Sequence, residues 1–163
     1  MISELFYPRQ VLLVTAATSE KSNLTAVEWL TPIAEKPPMI ALSLANTSLT
    51  LELLCTSLEF VVAVPTEKMK EQVLLCGMTS GKYIDKFSET KLATAKAKKV
   101  SAPLIAEAAA NAECKVLSYH THGDHTLVVG EVLELHLPKE PTAEPLLFNK
   151  GGKRLFGLTV DQL

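Results

Sequence analysis

Residues 112 to 137 constrain the fold of this chain more than any other stretch. "AECKVLSYHTH" (112 to 122) and "HTLVVGEVLELHL" (125 to 137) are long extended candidates joined through Gly123 and Asp124. Glycine accepts positive φ and aspartate bonds the local backbone, so this pair is hairpin chemistry. A long antiparallel ribbon is expected, with His120, His122 and His125 at its tip.

Further strand candidates precede it. "VLLVTAAT" (11 to 18) is apolar and partly β-branched, and the polar stretch from Ser19 to Asn23 turns the chain. "NLTAVEWLTPI" (23 to 33) alternates, placing Thr25, Val27, Trp29 and Thr31 on one face and Leu24, Ala26, Glu28 and Leu30 on the other. One strand pairing with the first is expected there. "PPMIALSLA" (37 to 45) and "EFVVAVP" (59 to 65) add two more. Between these, Thr47 or Ser48 can cap a short helix over "LTLELLCTS". Thr66 can cap "EKMKEQVLLCGM", where Met69, Val73 and Leu74 share a face and Gly77 ends the helix. "DKFSETKL" is a shorter helical candidate, the lysine-rich "ATAKAKKVSAP" reads as a solvated connection, and "PLLFNKGGKRLFGL" reads as a last hairpin around Gly151 and Gly152.

Six or more strands with few helices predict a mainly β fold, a small barrel or sandwich of Greek-key type. The length of 163 residues, 47% hydrophobic and 21% charged, suits one globular domain spanning 1–163. Sixteen basic against eighteen acidic side chains give a formal charge of −2, so neither nucleic acid nor an anionic membrane is the expected partner. The first ten residues lack a signal-peptide pattern and no uncharged run is long enough to span a bilayer, so a cytoplasmic protein is expected. Cys55, Cys76 and Cys114 fit neither a disulfide framework nor a CxxC site and read as small buried hydrophobes, Cys76 being the one to watch.

The ribbon tip spells H-x-H-x-D-H across His120, His122, Asp124 and His125, the pattern of the dinuclear-zinc metallo-β-lactamase superfamily. These are ligand types that zinc prefers. Such a site needs a further histidine and a bridging carboxylate downstream to hold both metals and orient hydroxide. After His125 only His136 and a few acids remain, and the motif lies late in the chain rather than early. No metal site is expected.

From "GDHTLVVGEV" the sequence resembles the flavin reductase-like family of FMN-binding split barrels, which includes the flavoredoxins. The resemblance runs in order through "YPRQVLLVTA", "NLTAVEWLTPIAEKPPMIALSL", "FVVAVP", "LLCGMTSGKYIDKF" and "APLIAEAAANAECKV", about residues 7 to 137, and fades in the C-terminal tail. It implies a six-stranded Greek-key split barrel with short helices, and a homodimer that binds FMN at the subunit interface. The flavin would carry the redox chemistry while the protein positions and tunes it. No G-x-G-x-x-G follows a strand, so an NAD(P)H donor would lie only transiently over the flavin.

The resemblance also nominates residues. Thr47, Ser48 and Thr50 match the phosphate segment, where hydroxyls stand beside a helix N-terminus. The isoalloxazine would lie along Thr25, Ala26, Val27, Glu28, Trp29 and Thr31 and the strand end Ser43, Leu44 and Ala45. Ser80, Lys86 and Phe87 match another segment near the cofactor, Lys86 as a possible phosphate partner, and His125 matches a histidine near flavin and nicotinamide that can donate a hydrogen bond or a proton. Two positions depart from the family pattern. Ala26 stands where threonine is common, and Glu28 where a small residue is common, which brings a carboxylate toward the flavin unless it points outward.

The leading expectation is therefore an FMN-dependent oxidoreductase passing electrons from NAD(P)H to a flavin or another small-molecule acceptor. The alternatives are an FMN-holding electron carrier without a nicotinamide site, and a cofactor-free barrel module.

Overall fold

The computed structural model describes residues 1–140 and 142–159. Strands β1 (Arg9–Gln10), β2 (Leu12–Ala17), β3 (Ser22–Val27), β4 (Leu30–Glu35) and β5 (Pro38–Ala45) precede helix α1 (Leu49–Ser57). Then come β6 (Glu59–Val64), α2 (Lys70–Met78), α3 (Lys86–Thr90), β7 (Thr94–Ala95) and β8 (Leu104–Ile105). The long pair β9 (Ala110–His122) and β10 (His125–His136) forms the expected ribbon, with Gly123 at φ 61 in its turn, and β11 (Leu146–Asn149) pairs with β12 (Leu155–Leu158) as the last hairpin.

The main sheet has the antiparallel order β3-β2-β6-β9-β10-β5-β4. Its two edges, β3 and β4, are separated in the chain only by Glu28 and Trp29. Three Cα steps span at most about 11 Å, so the edges must meet and the sheet must curl into a barrel. The Ser43 N–H, donating to the Trp29 carbonyl at 2.8 Å, joins the corner to β5. The expected single strand over 23 to 33 is thus broken at Glu28–Trp29, because one straight segment cannot serve both edges. Counted as one bent strand, β3 and β4 join β2, β5, β6, β9 and β10 in a six-stranded split barrel. The bend also ends the expected alternation: Val27 is buried, Trp29 half-buried and Thr31 exposed.

The barrel interior is filled by Leu12, Val14, Ala16, Val27, Leu42, Leu44, Phe60, Val62, Cys114, Val116 and Val128, joined by Leu49, Leu51, Leu53 and Leu54 of α1. Each large side chain so buried contributes about 1.5 to 3 kcal/mol. Gly130 makes room for Phe60, whose Cζ would stand 2.5 Å from a Cβ at that position. A second apolar layer places Val11, Leu13, Leu24 and Ala63 with Met69, Val73 and Cys76 of the α2 region and Leu147 and Leu155 of the last hairpin. Both faces of β2 are therefore covered, which accounts for its unbroken apolar run.

Helix α2 follows a single 3-10 turn over Glu67–Met69 and continues through Gly77 to Met78, so Gly77 does not end it. A Cβ on Gly77 would lie 3.4 Å from the Ala26 Cβ, and glycine here permits a close helix-on-strand approach. The lysine-rich connection is solvated in its side chains but anchored in its backbone. Buried Glu113 accepts hydrogen bonds from the N–H groups of Lys98, Lys99 and Val100 and pairs with His136 Nε2 at 2.6 Å. Cys76 and Cys114 are buried, and burial pushes their thiols up to about 11 and about 12. Among the described residues, no helix is long and apolar enough to cross a membrane.

Candidate functional site

A cavity of about 300 Å³ opens at the corner where the barrel closes. The bend brings Thr25, Ala26, Val27, Glu28 and Trp29 to one side, and the end of β5 presents Ser43, Leu44 and Ala45 on another. Ser48, just before α1, and His125, at the start of β10, complete this half. Opposite stand Val73, Leu74, Gly77 and Met78 of α2, together with Val11 and with Asn149, Lys153 and Leu155 of the last hairpin. Apolar walls with a polar strand edge between them suit a flat heteroaromatic ligand.

His125 is fixed on two sides. Its ring stacks on Trp29 with centroids 4.7 Å apart and planes 29° apart, and its Nδ1 bonds Asp124 Oδ1 at 2.8 Å. That bond holds the Asp124 carboxyl below the usual carboxylate range. With Nδ1–H committed to Asp124, Nε2 is the nitrogen left for a ligand, an acceptor in the neutral ring and a donor in the charged one. His120 and His122 are exposed, and among the described residues no three histidine, cysteine or acidic side chains are grouped to hold a metal.

Ser48 occupies the N-cap position of α1, yet its hydroxyl makes no capping bond and lines the cavity. Thr47 is exposed and is not on the cavity wall. The fully buried Thr50 is committed elsewhere, its hydroxyl accepting from Asn23 Nδ2 at 3.0 Å. Thr31 is exposed with its hydroxyl on the Pro32 carbonyl, and Ser80 accepts from the Lys82 N–H. Lys86 is buried with Nζ donating to the Cys76 carbonyl at 2.6 Å, a staple on the last turn of α2, and Phe87 packs in the layer beneath that helix. Burial lowers the Lys86 ammonium from its ordinary range. Thr31, Thr47, Thr50, Ser80 and Lys86 are thus not brought to the cavity.

The residues that sequence reasoning missed come from distant segments. Val73 and Leu74 carried a helix-face signal that reads equally as core, and Asn149 and Lys153 lie in the tail, beyond the segments that carry the resemblance. Asn149 Nδ2 donates to Glu28 Oε1 at 2.6 Å, while its Oδ1 accepts the Gly151 N–H at 2.9 Å. Glu28 therefore lines the cavity and does not point away from it.

Residues 4–156 match the model of the flavin reductase like domain. The chain belongs to the flavin reductase-like family. Within it, an NADH-dependent FAD reductase of Streptomyces globisporus is 28% identical over 159 residues, covering 96% of this chain and 84% of that protein. A flavoredoxin from Methanosarcina acetivorans superposes with a TM-score of 0.86 at 23% identity over 94% of this chain and 86% of its own. An FMN-binding protein from Thermus thermophilus gives 0.85 at 24% identity over 94% and 88%. These two likenesses establish the split-barrel fold.

Proposed function

We propose that the corner cavity holds FMN and that the protein is a flavin-dependent oxidoreductase, taking electrons from NAD(P)H and passing them to a flavin or another small-molecule acceptor. The observation that carries this reading is the convergence, at one closure corner, of the β3 edge, the end of β5, Ser48 and His125. The family membership and the names of its relatives support the same chemistry.

Bound flavin would supply two-electron transfer, which no side chain here can provide. The chain's own part is to bind and to shield. The outward edge of β3 and the end of β5 are suited to the polar ring edge wherever their backbone groups are not paired with a neighbouring strand, and the apolar side chains of α2 keep water from one face. The free hydroxyl of Ser48, beside the unpaired N–H groups of α1, suits the phosphate. His125, aimed by Asp124 and Trp29, is placed to hold or deliver a proton at Nε2.

The functional unit in this reading is a homodimer. The cavity is at the small end of the ligand-pocket range of about 300 to 1,000 Å³, and a second copy would add a wall. Leu117 and Tyr119 of β9 and Leu127, Leu133 and Leu135 of β10 are exposed and would favour self-association.

Purified protein should show flavin absorbance, or gain it on FMN addition, and should oxidise NADH or NADPH when an acceptor flavin is present. Flavin binding without nicotinamide oxidation would select the electron-carrier reading. Absence of flavin binding would remove both.

A further inference from the structure

We infer that Glu28, held in the cavity by Asn149, makes this site disfavour the anionic reduced form of the flavin. This rests on the reading of the cavity as an FMN site. The carboxylate lines the cavity wall and its Oε1 takes the Asn149 amide at 2.6 Å. Asn149 is itself buried and cannot simply turn away, because its Oδ1 is fixed by the Gly151 N–H at 2.9 Å. Gly151 has φ 98, a conformation that suits glycine. A residue on the barrel corner is thereby tied to one 121 positions later, and the last hairpin sets where the charge stands. The other ionisable side chains on the wall are His125 and Lys153, and neither forms an ion pair with Glu28. Among the described residues the carboxylate makes no ion pair, and its Oε1 is held by the neutral Asn149 amide.

Two electrons and one proton convert oxidised flavin to an anion, and a second proton makes the reduced ring neutral. A fixed negative charge beside the ring opposes the first product and not the second. The site then binds reduced FMN more weakly, relative to oxidised FMN, than an uncharged corner would. Any effect on electron transfer follows from that ratio.

The test is anaerobic titration of the full-length protein with oxidised and with dithionite-reduced FMN at pH 8, comparing wild type with Glu28→Gln and Glu28→Asp. Glutamine can still accept from Asn149 and so preserves the tie. The expected result is that Glu28→Gln shifts the affinity ratio about tenfold toward reduced FMN, equivalent to a midpoint about 30 mV more positive for a two-electron couple. The shift should shrink at pH 6, and the absorbance of the bound reduced flavin should show more of the anion in Glu28→Gln. Glu28→Asp, which keeps the charge, should stay near wild type. An unchanged ratio in a folded Glu28→Gln, or an equal shift in Glu28→Asp, would overturn the inference while leaving FMN binding in place. Failure of wild type to bind FMN would sink the cavity reading and this inference with it.

Discussion

The imidazole of His125 lies on the indole of Trp29, 4.7 Å between centroids, across the corner where the two edges of the barrel meet. Trp29 is the chain's one tryptophan, so its emission reports on this corner directly. His125→Ala should uncover one indole face and shift the emission to the red, at a stability cost of about 0.5 to 1.5 kcal/mol. Adding FMN to wild type should quench the same emission. Unquenched emission at saturating FMN would place the flavin away from Trp29.

Ser48 and Thr50 are two residues apart and should behave oppositely. Ser48 makes no capping bond, so Ser48→Ala should leave the fold intact and weaken FMN affinity about tenfold, the value of one bond to a charged group at about 1.5 kcal/mol. Riboflavin, without the phosphate, should bind both proteins alike. Thr50→Val should instead strand the Asn23 amide and cost about 1 to 3 kcal/mol of stability with FMN affinity unchanged. Thermal melts and FMN titrations of the two variants check both halves.

Gly81 should not tolerate a side chain. A Cβ there would overlap the Asn23 side-chain amide, and Asn23 is buried with its amide on Thr50. Gly81→Ala is expected to lower stability by about 1 to 3 kcal/mol through displacement of that pair. A urea midpoint equal to wild type would show that the segment moves freely.

The strands were legible where one rule governed them. Alternation and apolar runs gave β2, β5 and β6, and turn chemistry at Gly123 and Asp124 gave the β9–β10 ribbon. The bend at Glu28–Trp29 was not legible, because it answers to the closure of the whole sheet and nothing local marks it. The corner residues became candidates through family likeness. Sequence spacing could not show which hydroxyls face the cavity, since Ser48 and Thr50 differ only by where one turn of α1 sends them. Asn149 was invisible for a different reason: its partner Glu28 is 121 residues away, and only the docking of the last hairpin brings them together.

Acid should weaken the protein partly through Glu113. Its carboxylate is fully buried; burial alone would raise it, but the N–H groups of Lys98, Lys99 and Val100 and the His136 ring outweigh that and hold it below the usual range. A carboxyl lowered on folding contributes stability above its unfolded value of about 4.3, and that contribution is lost as pH falls through the folded value. Glu113→Gln keeps the shape and loses the charge, so at pH 7 it should cost about 3 kcal/mol, the scale for breaking a buried hydrogen-bonded charge. The two proteins should converge only as pH falls through the lowered folded value, because the wild-type side chain is neutral once that is passed. Amide exchange should quicken at Lys98, Lys99 and Val100 in the variant, since those N–H groups lose their charged acceptor. Urea unfolding at stepwise falling pH from 7 measures the difference, and a gap between the two proteins that never narrows before both unfold in acid would show that Glu113 does not carry this part of the acid response.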